Sequence, residues 1–221
     1  ITFSQHAIDR FEMVPNGFQA RYGDFSGGVV NVTTRSGANQ FAGHLGYYFR
    51  NDNFVAAPPV RYPDQEHRKA PDTRRFTEVA LGGAIVPDKV HYFTTLEYRT
   101  SDIGTVFAVR TSETDSYLGS LKLNYTPRAE DQWVFFGASN INRTDNTVAT
   151  RFVAPEHNAN RKDDRSLLTV QQSHIFSDSL FLESQLSYLR VTDGLGRADP
   201  NAHVTLYTFT PTGTYTSGMF T

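Results

Sequence analysis

From Phe41 onward the chain alternates apolar and polar positions with a period of two. In Phe41 to Phe49 an extended backbone puts Phe41, Leu45, Tyr47 and Phe49 on one face and Ala42, His44, Gly46 and Tyr48 on the other. Val90 to Tyr98 is the clearest case, with Val90, Tyr92, Leu96 and Tyr98 opposed to His91, Thr95 and Glu97. Tyr117 to Tyr125 sets Tyr117, Leu121, Leu123 and Tyr125 against Ser120, Lys122 and Asn124. Leu180 to Arg190 sets Leu180, Leu182, Leu186 and Tyr188 against Glu183, Gln185 and Ser187. Arg75 to Val86 is less regular, with Val79, Leu81 and Ile85 together. Trp133 to Ile141 begins apolar on both faces, which leaves its register open. Ser166 to Phe176 and Val204 to Thr210 extend the series. Such alternation predicts strands with one apolar and one polar face. Upstream, Ala7 to Val14 reads as a strand, and Gly28 to Arg35 as a stronger one, rich in β-branched residues. Helical periodicity is confined to a weak stretch around Gly17 to Tyr22.

The connections carry a second pattern. Pro87-Asp88, the stretch Thr126 to Asp131, and Ser177-Asp178-Ser179 are short and built from turn-forming residues. Arg50 to Arg74, Arg99 to Ser116 and Asn142 to Arg165 are long and polar. Short and long alternate strictly, as in a transmembrane β-barrel with tight periplasmic turns and long outer loops. Each apolar-faced segment has the roughly 9–12 residues that a tilted strand needs to cross a bilayer. On this reading the strand beginning at Phe41 starts on the periplasmic side.

Composition narrows the classes. No run of apolar residues is long enough for a transmembrane helix. A mean hydropathy of −0.44 disfavours a helical membrane protein, but not a barrel, whose strands face lipid with alternate residues only. Aromatic residues make up 13% of the chain, which suits interfacial girdles such as Tyr47, Phe49, Tyr92, Tyr98, Tyr117 and Tyr125 would form. Net charge is −2 with scattered basic residues, so no field draws nucleic acid. The absence of cysteine excludes disulfides and thiolate metal sites. The chain opens on Ile1 and no signal peptide is visible; both ends read as cut.

The order of motifs from Ile8 to Phe93 resembles a TonB-dependent outer-membrane transporter, of the Oar-like subgroup. Ile8, Arg10, Phe11, Glu12 and Val14, then Tyr22-Gly23, then Gly27-Gly28-Val29-Val30-Asn31-Val32-Thr33-Thr34-Arg35 are similar to the end of that family's plug. Ser36 to Phe41 is similar to its plug–barrel junction, and Tyr48-Phe49-Arg50-Asn51-Asp52 to the end of its first barrel strand. Leu81 to Phe93 resembles its second hairpin, with Ala84 where Pro is usual; a strand position needs no Pro. The resemblance covers about residues 7–98 by motif and the rest by architecture alone. It implies an all-β fold: part of a transmembrane antiparallel β-barrel of 22 strands, with the C-terminal part of a plug domain. Residues 1–39 would be plug and junction, and 40–221 the first seven or eight barrel strands with their loops. It further implies energised uptake in the cell outer membrane of a Gram-negative type cell. The ligand class is open: a small molecule, sugar or peptide. The implied partners are outer-membrane lipid, and TonB with its proton-gradient-driven inner-membrane complex, reached through a plug segment outside this chain. Flanking sequence is expected to hold an export signal upstream and further alternating strands downstream, ending in an aromatic residue.

Candidate site residues follow from that reading. Tyr22, Gly23, Gly27, Gly28, Asn31 and Arg35 form the plug motif, with Asn31, Thr33 and Arg35 reaching the lumen wall. His44, His91, Glu97, Lys122, Glu183 and Gln185 are candidates for a polar, lumen-facing wall. Catalytic signals are missing: no nucleophile elbow, HExxH pair or phosphate loop occurs. The seven histidines are dispersed, so no metal or cofactor is expected. Asn51-Asp52-Asn53 and Asp163-Asp164 offer oxygen ligands of the kind calcium takes, and otherwise read as solvated loop residues. Two other classes fit less well. One is a soluble β-sandwich that binds carbohydrate or protein at the cell surface; the other is a secreted β-rich hydrolase, for which no converging nucleophile, base and oxyanion site is seen.

Overall fold

The structure is a computed structural model that describes residues 2–14, 29–56, 69–104, 110–147, 158–197, 205–209 and 215–219. It is all-β with antiparallel sheets. Two short strands, β1 (Ile8–Val14) and β2 (Val29–Thr34), pair with each other. Seven strands then form one open sheet in chain order: β3 (Ala42–Arg50), β4 (Asp72–Val86), β5 (Val90–Ile103), β6 (Ser112–Arg128), β7 (Asp131–Asp145), β8 (Ala159–Ser177) and β9 (Leu180–Arg197). Every neighbour in sequence is a neighbour in space, so each strand returns beside the last through the connections read from the sequence.

The register defines two faces. Gly46, Glu78, Glu97, Leu118, Asn140 and Arg165 lie opposite one another across the sheet and share one face. Leu45, Val79, Leu96, Gly119 and Ser139 lie opposite one another on the other. The first face carries the polar alternates and is covered in part by the chain preceding β3. Lys122 donates to the Thr34 carbonyl at 2.8 Å, His6 contacts Glu78 at 3.1 Å, and Phe3 packs on Phe136. The second face is bare. Leu45 and Leu186 are 75% and 76% exposed, and Leu96, Tyr47, Leu168 and Tyr188 are at least 60% exposed.

What is buried is unusual for a folded sheet. Among the described residues the buried hydrophobic set is Ala7, Ala80, Leu118 and Ala138, while Ser4, Glu78, Thr95, Glu97, Asn140 and Asn158 are buried polar groups. A soluble β-sandwich buries its apolar alternates between two sheets. Here large apolar alternates such as Leu45, Leu96 and Leu186 are exposed, while Glu78, Thr95, Glu97 and Asn140 are enclosed beside Ala80, Leu118 and Ala138.

Several expectations are corrected. The strands run well past the apolar segments, to 14, 17, 15, 19 and 18 residues for β5 to β9. β6 and β7 take up Thr126 to Arg128 and Asp131 of the stretch read as a turn, but most of the extra length lies at the long-connection end and takes in residues read as loop. Alternation vanishes there because both faces are polar, and cross-strand ion pairs replace it: Arg143 with Asp164, and Arg161 with Asp193. Val204 to Thr210 does not extend the sheet; β10 (Thr205–Phe209) pairs with β11 (Tyr215–Met219) in a sheet of two strands. Trp133, Phe135 and Ile141 take the bare face, and Phe136 and Asn140 the covered one, which settles the register that composition left open. Ile85 sits in a register shift between Ala84 and Val86, so it stands outside the alternation of β4. The candidate helical turn at Gly17 to Tyr22 lies outside the described residues.

One glycine fixes how the covering chain meets the sheet. A Cβ built on Gly37 would lie 2.1 Å from the Tyr92 carbonyl oxygen and 2.7 Å from that of Gly83. Those are backbone atoms of two paired strands and cannot step aside as a side chain can. Gly37→Val is therefore expected to lower stability by about 1–3 kcal/mol, the usual range for overpacking. Gly194→Ala, where nothing lies within 4 Å, is expected to be neutral. The denaturant midpoints of the two variants check this.

Candidate functional site

The seam between the covering chain and the polar face brings together a histidine–carboxylate cluster, an enclosed ion pair and a side-chain clamp on a turn. It has three parts.

At its centre, His6, His44, Tyr48 and Glu78 converge. His6 lies in a short 3-10 turn (Gln5–Ala7) capped by the Ser4 side chain, which accepts from the His6 N–H. His44 and Tyr48 are same-face neighbours on β3, and Glu78 faces them from β4. His6 Nε2 and His44 Nε2 each lie 3.1 Å from Glu78 Oε1, and the Tyr48 hydroxyl donates to the same oxygen at 3.2 Å. The two imidazole rings stack with centroids 4.2 Å apart. Glu78 is buried, His6 is half-buried and His44 is exposed.

Beside it, Glu97 lies directly opposite Glu78 in the register. Its side chain is fully enclosed and its Oε2 accepts from Arg99 at 2.6 Å. Glu97 Oε1 and Arg99 Nε are buried without partners among the described residues. The Arg99 guanidinium also lies over the Phe76 ring at 4.6 Å. Like charges directly opposite across a sheet repel, and Arg99 compensates the Glu97 half of that pair.

At the short-turn end, Asn39 clamps the β4–β5 turn. Its Nδ2 donates to Asp88 Oδ1 at 2.5 Å, and its Oδ1 accepts from the Asp88 N–H at 2.9 Å. Asp88 has a φ of 61°, a left-handed conformation that a short polar side chain tolerates, so the clamp holds a costly turn in place. His91 Nε2 lies 2.8 Å from the same Asn39 oxygen.

The sequence candidates distribute unevenly over this seam. His44, His91, Glu97 and Lys122 all belong to it or adjoin it. Glu183 and Gln185 share the covered face on β9 but are exposed; Gln185 donates to Ser187 at 3.1 Å, within its own strand. Asn31 lies opposite Glu12 in the β1–β2 pair. Arg35 was expected to reach the wall. Instead its Nε donates to the Ile8 carbonyl at 3.1 Å and its N–H to the Ala7 carbonyl at 2.8 Å, which ties the covering chain to itself. The contact with the wall runs the other way, from Lys122 to the Thr34 carbonyl. Tyr22, Gly23, Gly27 and Gly28 lie outside the described residues. The calcium candidates are otherwise engaged: Asp163 accepts two bonds from Arg165, Asp164 pairs with Arg143, and Asn51 donates to Thr73.

His6, Glu78, Tyr48 and Asn39 were missed. The histidines read as dispersed because His6 and His44 stand 72 and 34 positions from Glu78 along the chain. The available signal was weak: Glu78 is one of two acidic residues, with Asp72, at covered-face positions of β4, the same face as His44.

At the opposite end, a depression is lined by Arg50, Asp52, Val55, Lys69, Pro71, Asp72 and Ile103. Arg50 pairs there with Asp72, which Arg74 also reaches, and Lys69 Nζ donates to the Asp52 carbonyl at 3.3 Å.

No family model, curated protein or solved structure matches this chain.

The Glu97–Arg99 pair gives a test of the seam's electrostatics. Arg99→Met leaves an enclosed carboxylate uncompensated, and it is expected to cost about 2 kcal/mol or more. Glu97→Gln in the same chain is expected to restore most of that loss, since coupled partners are non-additive. Unfolding midpoints of the two single variants and the double variant measure the coupling.

Proposed function

We propose that this chain is the end of the plug and the first part of the barrel of a TonB-dependent transporter in the outer membrane of a Gram-negative type cell. The observation that carries the reading is the inversion of the sheet: its apolar face is bare and its polar face is the one the preceding chain covers. In water a bare face of this kind would be an aggregation surface. In a bilayer it is the surface that hydrocarbon requires, with Tyr98 and Tyr117 stacked at 4.8 Å and Trp133 beside Phe135 as ring pairs suited to the interfaces. The same inversion disfavours the sandwich reading, which needs the apolar face covered. Among the described residues no helix is long and apolar enough to cross a membrane, so spanning would fall to the strands.

On this reading β3 to β9 are one arc of the 22-stranded barrel, and residues 1–39 belong to its plug. The polar lengths beyond the apolar band stand outside the membrane with the long loops. The seam supports the transport step. A plug must be held by contacts that can break. Lys122 to Thr34, His6 to Glu78 and the Asn39 clamp are hydrogen bonds, each worth about 1 kcal/mol net. A pull through TonB, driven by the proton gradient, breaks such contacts one after another, whereas a dry apolar seal would resist it as a unit. The cargo is a ligand too large or too scarce for porins, a small molecule, sugar or peptide, and no catalytic step is required of the chain.

Leu96→Arg tests the reading directly. Leu96 lies between Tyr92 and Tyr98 on the bare face and is 61% exposed. An arginine facing hydrocarbon costs about 2–4 kcal/mol near the bilayer midplane. On a water-exposed surface the change stays within about 0.5 kcal/mol. The intact protein carrying Leu96→Arg is expected to lose stability in lipid vesicles, and Gln185→Arg on the other face is expected to leave it unchanged. Equal, negligible effects, or an intact protein that stays monodisperse without detergent, would refute the membrane reading.

A further inference from the structure

The centre of the seam has a donor set that hydrogen bonding alone does not account for. Three groups converge on one oxygen, Glu78 Oε1: His6 Nε2, His44 Nε2 and the Tyr48 hydroxyl. The ligand atoms of His6, His44 and Glu78 lie within 4.8 Å of one another. The carboxylate is buried, and it stands opposite a second buried carboxylate, Glu97. Arg99 compensates Glu97, but among the described residues no lysine or arginine compensates Glu78. Neutral imidazoles supply hydrogen bonds and no charge. Two protonated imidazoles stacked at 4.2 Å would repel each other.

We infer that His6, His44 and Glu78 form a site for one divalent transition metal of the zinc class, which fastens the chain before β1 to the sheet. Two imidazoles and one carboxylate are a donor set zinc accepts, with the fourth position left to water. With metal–ligand bonds of about 2.0–2.1 Å, the edges of a tetrahedron are about 3.3–3.4 Å. Each histidine nitrogen already lies 3.1 Å from the carboxylate oxygen, so small side-chain rotations open the space for the ion. A dication would supply the charge that Glu78 lacks and relieve its repulsion from Glu97. Tyr48 would remain as the hydrogen bond that orients the carboxylate. Gly46 keeps the site open: a Cβ there would lie 2.7 Å from Glu78 Oε1. The histidine side chains are 30% and 42% exposed, which leaves the ion a path of entry.

The consequence is mechanical. Two ligands belong to the sheet and one to the covering chain, so the metal would be a clasp across the seam, made and broken with the ion rather than with the hydrogen bonds around it. This inference does not rest on the transport reading, because its test contains no membrane or uptake readout.

The test is Co²⁺ and Zn²⁺ binding to the intact purified protein. One equivalent of Co²⁺ is expected to give the visible absorption of a tetrahedral site, displaced by Zn²⁺. His6→Ala and His44→Ala are each expected to weaken binding at least tenfold, and Glu78→Gln likewise, while His91→Ala leaves it unchanged. In the wild type, Zn²⁺ is expected to protect His6 and His44, but not His91, from acylation by diethyl pyrocarbonate, a readout that does not depend on any variant folding. Absence of saturable binding by the wild type overturns the site. So does binding that survives His6→Ala and His44→Ala, or zinc protection that does not distinguish His6 and His44 from His91.

Discussion

A β-sheet must cover one face or find a solvent for it, and this sheet covers the unexpected one. Backbone pairing joins β3 to β9 strand by strand whatever surrounds them, and among the described residues only the outer edges of β3 and β9 lack a partner strand. The side chains then decide the environment. Leu45, Leu96, Leu168 and Leu186 project from one face with nothing over them, while Glu78, Thr95, Glu97 and Asn140 are enclosed on the other. Among the described residues the enclosed apolar side chains are few and small, so hydrophobic burial between them gives this arrangement little support. On the transporter reading proposed above, a hydrocarbon phase would supply the missing support: the apolar side chains would face lipid, where the pairing of backbone groups becomes obligatory.

The covered face obeys a second constraint. Enclosed polar groups are tolerable only when paired, and the seam shows how far pairing goes. Thr95 and Ser120 share a hydroxyl bond at 2.7 Å, Arg99 compensates Glu97, and Asn39 satisfies a strained turn. What is left over is informative: among the described residues Glu97 Oε1, Arg99 Nε and Asn124 Oδ1 are buried without partners, and Glu78 has only histidines and Tyr48 beside it. The Glu78 and Glu97 deficits lie directly opposite each other in the register, where His6 of the covering chain meets the sheet, while Asn124 lies nearer the short turns, opposite His91. A contact region with deficits can be released without unpacking a core, and it can be tightened by an added cation.

How much of this was legible beforehand depended on the range of the interaction. Tyr92, Leu96 and Tyr98 announced their common face because strand geometry places alternate residues together whatever the rest of the chain does. The turn at Pro87-Asp88 did the same for the β4–β5 hairpin. The ends of β7 and β8 did not, because Arg143 and Asp164 look like loop residues until the partner strand supplies the opposite charge. Val204 to Thr210 looked like one more strand of the sheet, and its own period was right, but period does not name a partner.

The sequence by itself determined the strands, their apolar alternates and the order of short and long connections, all properties of neighbours two residues apart or of a single turn. Only the tertiary structure decided which face is enclosed and which groups meet there. His6 and Glu78 are 72 residues apart, and no local periodicity relates them. They meet because Gly37 lets the covering chain lie against the backbone of β4 and β5, and because the register of β3 with β4 brings His44 and Tyr48 to the same oxygen.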